Sequence, residues 1–184
     1  MMTNYLLSID PSIKNTGFTL WDVKWCHGGC GKEICHHHTP LWIGSFSFNK
    51  KLDFIDFQGE IFFQRKRNND IDLIIERGTF HSKNGIGYET QEHLRGFIAG
   101  QFNKLLTKNM LISPSEWKKW YVKNDKYCSA ITFVNGINYK WDKNVSLFMC
   151  EYLIKENKWN IKISSHDEAD SLLIGWYYLN KENK

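Results

Sequence analysis

Four carboxylates stand where side chains far apart in this sequence can be brought to one point. Asp10 ends the apolar run Tyr-Leu-Leu-Ser-Ile, and Glu76 ends the run Ile-Asp-Leu-Ile-Ile. Asp167 and Asp170 come just before Ser-Leu-Leu-Ile-Gly-Trp, three positions apart. Acids at the ends of two strands, met by an i, i+3 pair on one side of a helix start, can form a single patch. Carboxylates suit hard Mg²⁺, which keeps several waters and takes few protein ligands. Two such ions about 3.5–4 Å apart activate a water and stabilise the leaving oxygen in displacement at phosphorus. The pattern predicts phosphodiester hydrolysis with two Mg²⁺ per site, Mn²⁺ being able to replace them. Asp10 would bridge the ions, Glu76 and Asp170 would hold one each, and Asp167 would complete the set. His166 is a candidate ligand or general base, because a neutral imidazole titrates near working pH. Singly, each acid has a plainer use, as a turn residue or a partner of a helix dipole. Their order at these element ends is what points to chemistry.

The elements that must position them follow from periodicity. Residues 5–9, 16–23 and 41–48 read as strands, and 72–75 as a short buried one. Residues 52–67 have helical spacing, and 89–108 carry a long apolar stripe through Leu94, Phe97, Ile98, Phe102, Leu105 and Leu106. Residues 110–112 read as a strand. Ser113-Pro114-Ser115-Glu116 reads as a helix start, with Ser113 as N-cap and Glu116 three residues on. Residues 145–155 and 169–179 are two further helices. Strands alternating with helices predict an α/β domain with a mixed sheet covered by helices. Residues 24–40 and 124–141 read as two insertions. Gly85-Ile86-Gly87 lacks the Lys-Ser/Thr of a phosphate-binding loop and reads as a flexible part of the loop after Glu76.

Composition sets the frame. The chain has 184 residues, 42% hydrophobic and 24% charged, which suits one globular domain. Eight Trp are more than a core of this size is expected to hide, so some rings are predicted on a binding surface. Net charge is only +4. Residues 104–126, however, carry six Lys against Glu116 and Asp125, interleaved with Trp117, Trp120 and Tyr121. Such a mixture suits a phosphate backbone beside unpaired bases. The run 5–9 is too short for a membrane span and leads straight into Asp10, and five Cys accompany no secretory pattern. These features predict an intracellular protein, cytoplasmic or at a host-cell replication site, with no membrane partner.

With these motifs in view, the chain resembles the RuvC-type Holliday-junction resolvases of the ribonuclease H-like superfamily. Residues 8–17, Ser-Ile-Asp-Pro-Ser-Ile-Lys-Asn-Thr-Gly, are similar to that family's opening strand and turn. Glu76 followed by Phe80-His81-Ser82-Lys83-Asn84 resembles its second acid and junction-contacting loop, and Leu94-Arg95-Gly96 its central helix. Ser113-Pro114-Ser115-Glu116-Trp117-Lys118-Lys119 resembles a Pro-Ser-x-x-Lys-Lys segment, and His166-Asp167-Glu168-Ala169-Asp170-Ser171-Leu172 the closing acidic motif. The resemblance runs from residue 5 to about 178. It implies a ribonuclease H-like mixed five-stranded sheet flanked by helices, and a homodimer that cuts opposed strands of a four-way DNA junction. It also implies Phe80 near the crossover, with Lys83, Asn84, Arg95, Lys118 and Lys119 at the nucleic acid. The two insertions depart from the compact bacterial pattern and imply a divergent, viral or phage relative. Flaps, forks, an RNA–DNA hybrid, or a non-catalytic binding module are the alternatives.

The first insertion has its own chemistry. Cys26-His27-Gly28-Gly29-Cys30 and Cys35-His36-His37-His38 crowd soft ligands into thirteen residues. Tetrahedral Zn²⁺ takes four such ligands. The set expected is Cys26, Cys30, Cys35 and one of His36, His37 or His38, with His37 favoured, in a structural site apart from the carboxylates. Cys128 and Cys150 read as core residues.

Overall fold

The computed structural model describes residues 4–12, 14–26, 35–48, 57, 59, 71–78, 85–135 and 141–181. Five strands form one sheet: β1 (Asn4–Asp10), β2 (Thr16–Cys26), β3 (Cys35–Phe46), β4 (Ile71–Glu76) and β5 (Leu111–Ile112). Their order is β3-β2-β1-β4-β5. The first three run antiparallel as a meander, while β4 and β5 run parallel to β1 and to each other. Five long helices accompany them among the described residues: α1 (Gly85–Gln101), α2 (Pro114–Lys123), α3 (Asp125–Asn135), α4 (Lys143–Asn157) and α5 (His166–Asn180). The mixed five-stranded sheet flanked by helices is the architecture the sequence predicts. No helix among the described residues is long and apolar enough to cross a membrane.

The two-residue period of the strands divides the interior. Tyr5, Leu7 and Ile9 of β1, with Leu73 and Ile75 of β4, face Leu94, Ile98 and Phe102 beside α1. Leu6 of β1, Trp21 and Val23 of β2 and Ile74 of β4 face the other way, onto Trp117, Tyr121, Met149, Leu153 and Leu172 of the later helices. Asp10 is in phase with Leu6, and Glu76 with Ile74. Both acids therefore fall on the face covered by α2–α5.

Several expectations are corrected. Residues 24–26 and 35–40 extend the hairpin, since β2 continues to Cys26 and β3 begins at Cys35, while 27–34 lie outside the described residues. Residues 124–141 are not simply an irregular insertion. They contain α3, whose Tyr127 and Ile131 lie one turn apart and bury in the core. The helix expected over 89–108 begins earlier and stops at Gln101. Asn103 adopts a left-handed conformation (φ 53°), with Lys104 N–H bonded to Ala99 O and Asn103 N–H to Gly100 O. That pair of bonds is a Schellman stop, and it leaves Leu105 exposed (88%) rather than on the stripe. Gly85-Ile86-Gly87 forms the first turn of α1 rather than a loop. Ser113 occupies the N-cap of α2 without a side-chain cap bond. Its hydroxyl pairs with that of Ser115, and Glu116 accepts from the Tyr177 hydroxyl instead of closing a capping box. Within 52–67 only Phe57 and Gly59 are described. Both are helical, and Phe57 stacks on Phe46 at 4.4 Å.

Candidate active site

Parallel pairing places the first two acids side by side. Ile9 pairs with Ile75, so the next residue on each strand, Asp10 and Glu76, emerges at the same end of the sheet. The third element arrives across Gly17, the partner of Asp10 on β2. A Cβ at Gly17 would sit 1.9 Å from the Asp167 carbonyl oxygen, so only glycine admits the start of α5 this close. Ser165 caps that helix by accepting from Glu168 N–H at 3.2 Å. Asp167 lies in the first turn and Asp170 one turn on, as the i, i+3 spacing predicts.

Buried hydroxyls fix α5 on the sheet. Ser8 donates to the Ser171 carbonyl at 2.8 Å, Thr19 and Ser171 share a hydroxyl bond at 2.8 Å, and the Trp21 indole donates to Ser8 at 3.0 Å. These polar groups are paired within the core, which gives the helix one seat rather than several.

The four carboxylates act on one another. Burial first, then the charges of Glu76 and Asp170, a hydrogen bond with Glu76 and the charge of Asp167 raise the Asp10 pKa well above the ordinary carboxylate value. Asp170 is pushed up to about 6, chiefly by burial, with Glu76 and Asp167 adding to it and a Ser146 hydrogen bond and the Lys118 cation opposing. Asp170 Oδ1 is buried and has no hydrogen-bond partner among the described residues. Each of the other two acids is held by a neighbour. Asn15 donates its amide to Asp167 Oδ2, and the Trp117 indole donates to Glu76 Oε1 at 2.9 Å. Arg95 Nε donates to the Glu76 carbonyl at 2.7 Å.

As the side chains stand, no three His, Cys, Asp or Glu groups among the described residues close on one point as a finished metal cage. The donor set nonetheless fits a divalent cation. Like charges crowd at Asp10, and a buried Asp170 oxygen is left without a donor, and both are features that a cation satisfies. Hard oxygen ligands of this kind select Mg²⁺ or Mn²⁺ over softer metals.

The remaining candidates divide. His166 opens α5 with Nδ1 buried, but no hydrogen bond or ion pair among the described residues joins it to the four acids. Lys118 reaches the cluster electrostatically and lies over the Trp117 ring at 4.9 Å, while Lys119 is exposed on α2. Arg95 is 2% exposed, with Nε donating to the Glu76 carbonyl and Nη1 to Glu92 at 3.0 Å. The aromatic surface predicted on α2 is also corrected: Trp117 and Tyr121 are fully buried, and Trp120 packs against the same core. Phe80, Lys83 and Asn84 lie outside the described residues, as does Cys30. That Asn15, Trp117 and Ser146 would hold these carboxylates escaped the sequence reading, since nothing in a single residue type shows which carboxylate it will meet.

No protein-family model and no curated protein sequence matches this chain. Solved structures do. The Thermus thermophilus RuvC structure superposes with a TM-score of 0.53 at 14% identity, covering 97% of this chain and 96% of RuvC. T. thermophilus RuvC in complex with Holliday junction substrate gives 0.53 at 13% identity, with the same 97% and 96% coverage. Fowlpox virus resolvase, solved with substrate Holliday junction DNA, gives 0.41 at 18% identity, covering 98% of this chain and 99% of the resolvase. Across nearly its whole length, this chain has the ribonuclease H-like fold seen in RuvC.

Proposed function

We propose that this chain is a divalent-metal-dependent endonuclease that resolves four-way DNA junctions. One observation carries the reading: Asp10, Glu76, Asp167 and Asp170, from three separate elements, form one mutually repelling carboxylate cluster at the end of the sheet. The likeness to RuvC solved with Holliday junction substrate supports the choice of DNA. These four carboxylates would hold Mg²⁺ or Mn²⁺, which when bound would lower the pKa of a water so that it loses its proton to become the attacking hydroxide, and would supply charge to stabilise the leaving oxygen.

The chain's own residues do the rest. Asp10, on β1 between β2 and β4 and acted on by all three other acids, would be the carboxylate shared by the bound ions. Trp117 and Asn15 orient Glu76 and Asp167 before any ion arrives, which lowers the entropic cost of assembling the site. Lys118, beside Asp170, offers the cation for a backbone phosphate, with Lys119 further along the DNA. His166, whose buried Nδ1 has no hydrogen-bond partner among the described residues, would be the proton acceptor at the start of α5. Two copies of the chain would cut the opposed strands of one junction.

The test compares a four-way junction, a flap and an RNA–DNA hybrid with and without Mg²⁺, with products mapped on both strands. Asp10→Asn is expected to abolish cleavage while junction binding survives. Cleavage that persists in Asp10→Asn would sink the site assignment. Preference for the flap or the hybrid would replace the substrate and keep the chemistry. Sedimentation on the junction counts the copies.

A further inference from the structure

The surroundings of Asp170 carry an inference that deepens the nuclease reading and rests on it. Ser146, buried in the first turn of α4, stands beside this acid. Trp141, just ahead of that helix, donates its indole N–H to the Ser146 hydroxyl at 2.9 Å. A second clasp holds the same turn, where Asp142 caps α4 by accepting from Val145 N–H at 3.0 Å. Both ends of the Trp141–Ser146 bond are thus fixed by local structure.

An indole nitrogen can only donate, whereas a hydroxyl accepts and also donates its one hydrogen. Having accepted from Trp141, Ser146 is left with its hydrogen for the Asp170 carboxylate, to which it is hydrogen-bonded. The series runs one way, from indole to hydroxyl to carboxylate, and bonds linked like this strengthen one another. Asp170 Oδ1, buried and without a partner among the described residues, is left for a cation.

Trp141 also touches the side of the site that holds Glu76. Its ring meets Trp117 edge to face with centroids 5.1 Å apart, and Trp117 donates to Glu76 at 2.9 Å. Tyr121 packs on both rings, 5.7 Å from Trp141 and 6.2 Å from Trp117. Two indoles in contact therefore serve two carboxylates, one directly and one through a serine.

We infer that Trp141 and Ser146 are positioning residues of the metal site, a relay that orients Asp170 for a divalent cation while Trp117 orients Glu76. Trp141 acts only through Ser146. Supporting hydrogen bonds of this kind commonly govern metal affinity by a factor of about 10–100.

The test reads Mn²⁺ binding to the full chain by electron paramagnetic resonance, without DNA, beside melting in chelator. Ser146→Ala should weaken Mn²⁺ binding about tenfold. Trp141→Phe keeps a ring and drops the donor, and should weaken it roughly threefold. The double variant should bind as Ser146→Ala does, because the indole has no other route to the acid. Junction cleavage in each variant should need more Mg²⁺ yet reach the parent's rate at saturation. Parent-like Mn²⁺ binding in Ser146→Ala, or losses that multiply in the double variant, overturns the relay alone. Parent-like binding in Asp10→Asn, or none in the parent, sinks the carboxylate site and the relay with it. In the parent, the Trp141 indole N–H resonance, identified by its loss in Trp141→Phe, should shift on adding Mg²⁺ and stay fixed in Asp10→Asn. A resonance indifferent to Mg²⁺ in a parent that binds Mn²⁺ overturns the relay even if Ser146→Ala does not fold.

Discussion

At the scale of single residues, Glu76 is held at two points, by Trp117 on its carboxylate and by Arg95 on its carbonyl. A hydrogen bond to a charged group contributes about 1.5–3 kcal/mol. Trp117→Phe keeps most of the packing and loses the donor, so cleavage at limiting Mg²⁺ is expected to fall roughly 10–100-fold, with a raised metal requirement. An unchanged metal titration would reduce Trp117 to a packing residue. Asp170 supplies a second prediction through its pKa of about 6. A carboxyl raised by the fold contributes stability that is full below its unfolded pKa and is lost as pH rises through about 6. At pH 8 the ionised group costs on the order of 3 kcal/mol. Asp170→Asn should therefore melt roughly 5–10 °C higher than the parent at pH 8 in chelator, though inactive. The parent's metal-limited cleavage should decline on acidification through about pH 6, as Asp170 takes up its proton. The acids were legible because each terminates an apolar run or opens a helix. Arg95 and Trp117 were not, because a charged or aromatic letter carries no record of whether the fold will bury it.

At the scale of elements, the seat of α5 on β1 and β2 decides whether the site exists. A Cβ at Gly175 would lie 2.2 Å from Trp21 Nε1 and 2.6 Å from Ser8 Oγ. Gly175→Ala must lift the helix or displace the indole, and overpacking of this kind costs about 1–3 kcal/mol. A melting temperature lower by roughly 3–10 °C is expected in calorimetry. Cleavage should fall by more than this loss of stability explains, since Asp167 and Asp170 ride on the displaced helix. The strands were legible from their apolar runs, and α5 from its acidic start. The end of α1 was not, because the stripe continues through Leu105 and Leu106 while the Asn103 turn stops the helix. Nor was the true length of the β2–β3 hairpin, whose distal residues, Trp25 apart, are Cys, His and Lys rather than strand formers.

At the scale of the whole molecule, one end of the sheet gathers four carboxylates, and the Lys118 and Arg95 cations offset only part of that charge. Binding of divalent ions there should stabilise the entire fold, by about 2.7 kcal/mol at a hundred times the dissociation constant. Mg²⁺ or Mn²⁺ should accordingly raise the melting temperature of the parent by several degrees and leave Asp10→Asn nearly unmoved. Equal shifts in both proteins would place the binding elsewhere. The fold class was legible because the order of elements, strands first and the acidic helix last, is itself a global pattern.

That order has a consequence in time. Half of the carboxylates belong to α5, which spans His166–Asn180, after every strand has already been made. A polypeptide whose sheet has been synthesised still lacks two of the four carboxylates. On the proposed function, synthesis would carry its own safety catch, since cutting of DNA could not begin until α5 had been made.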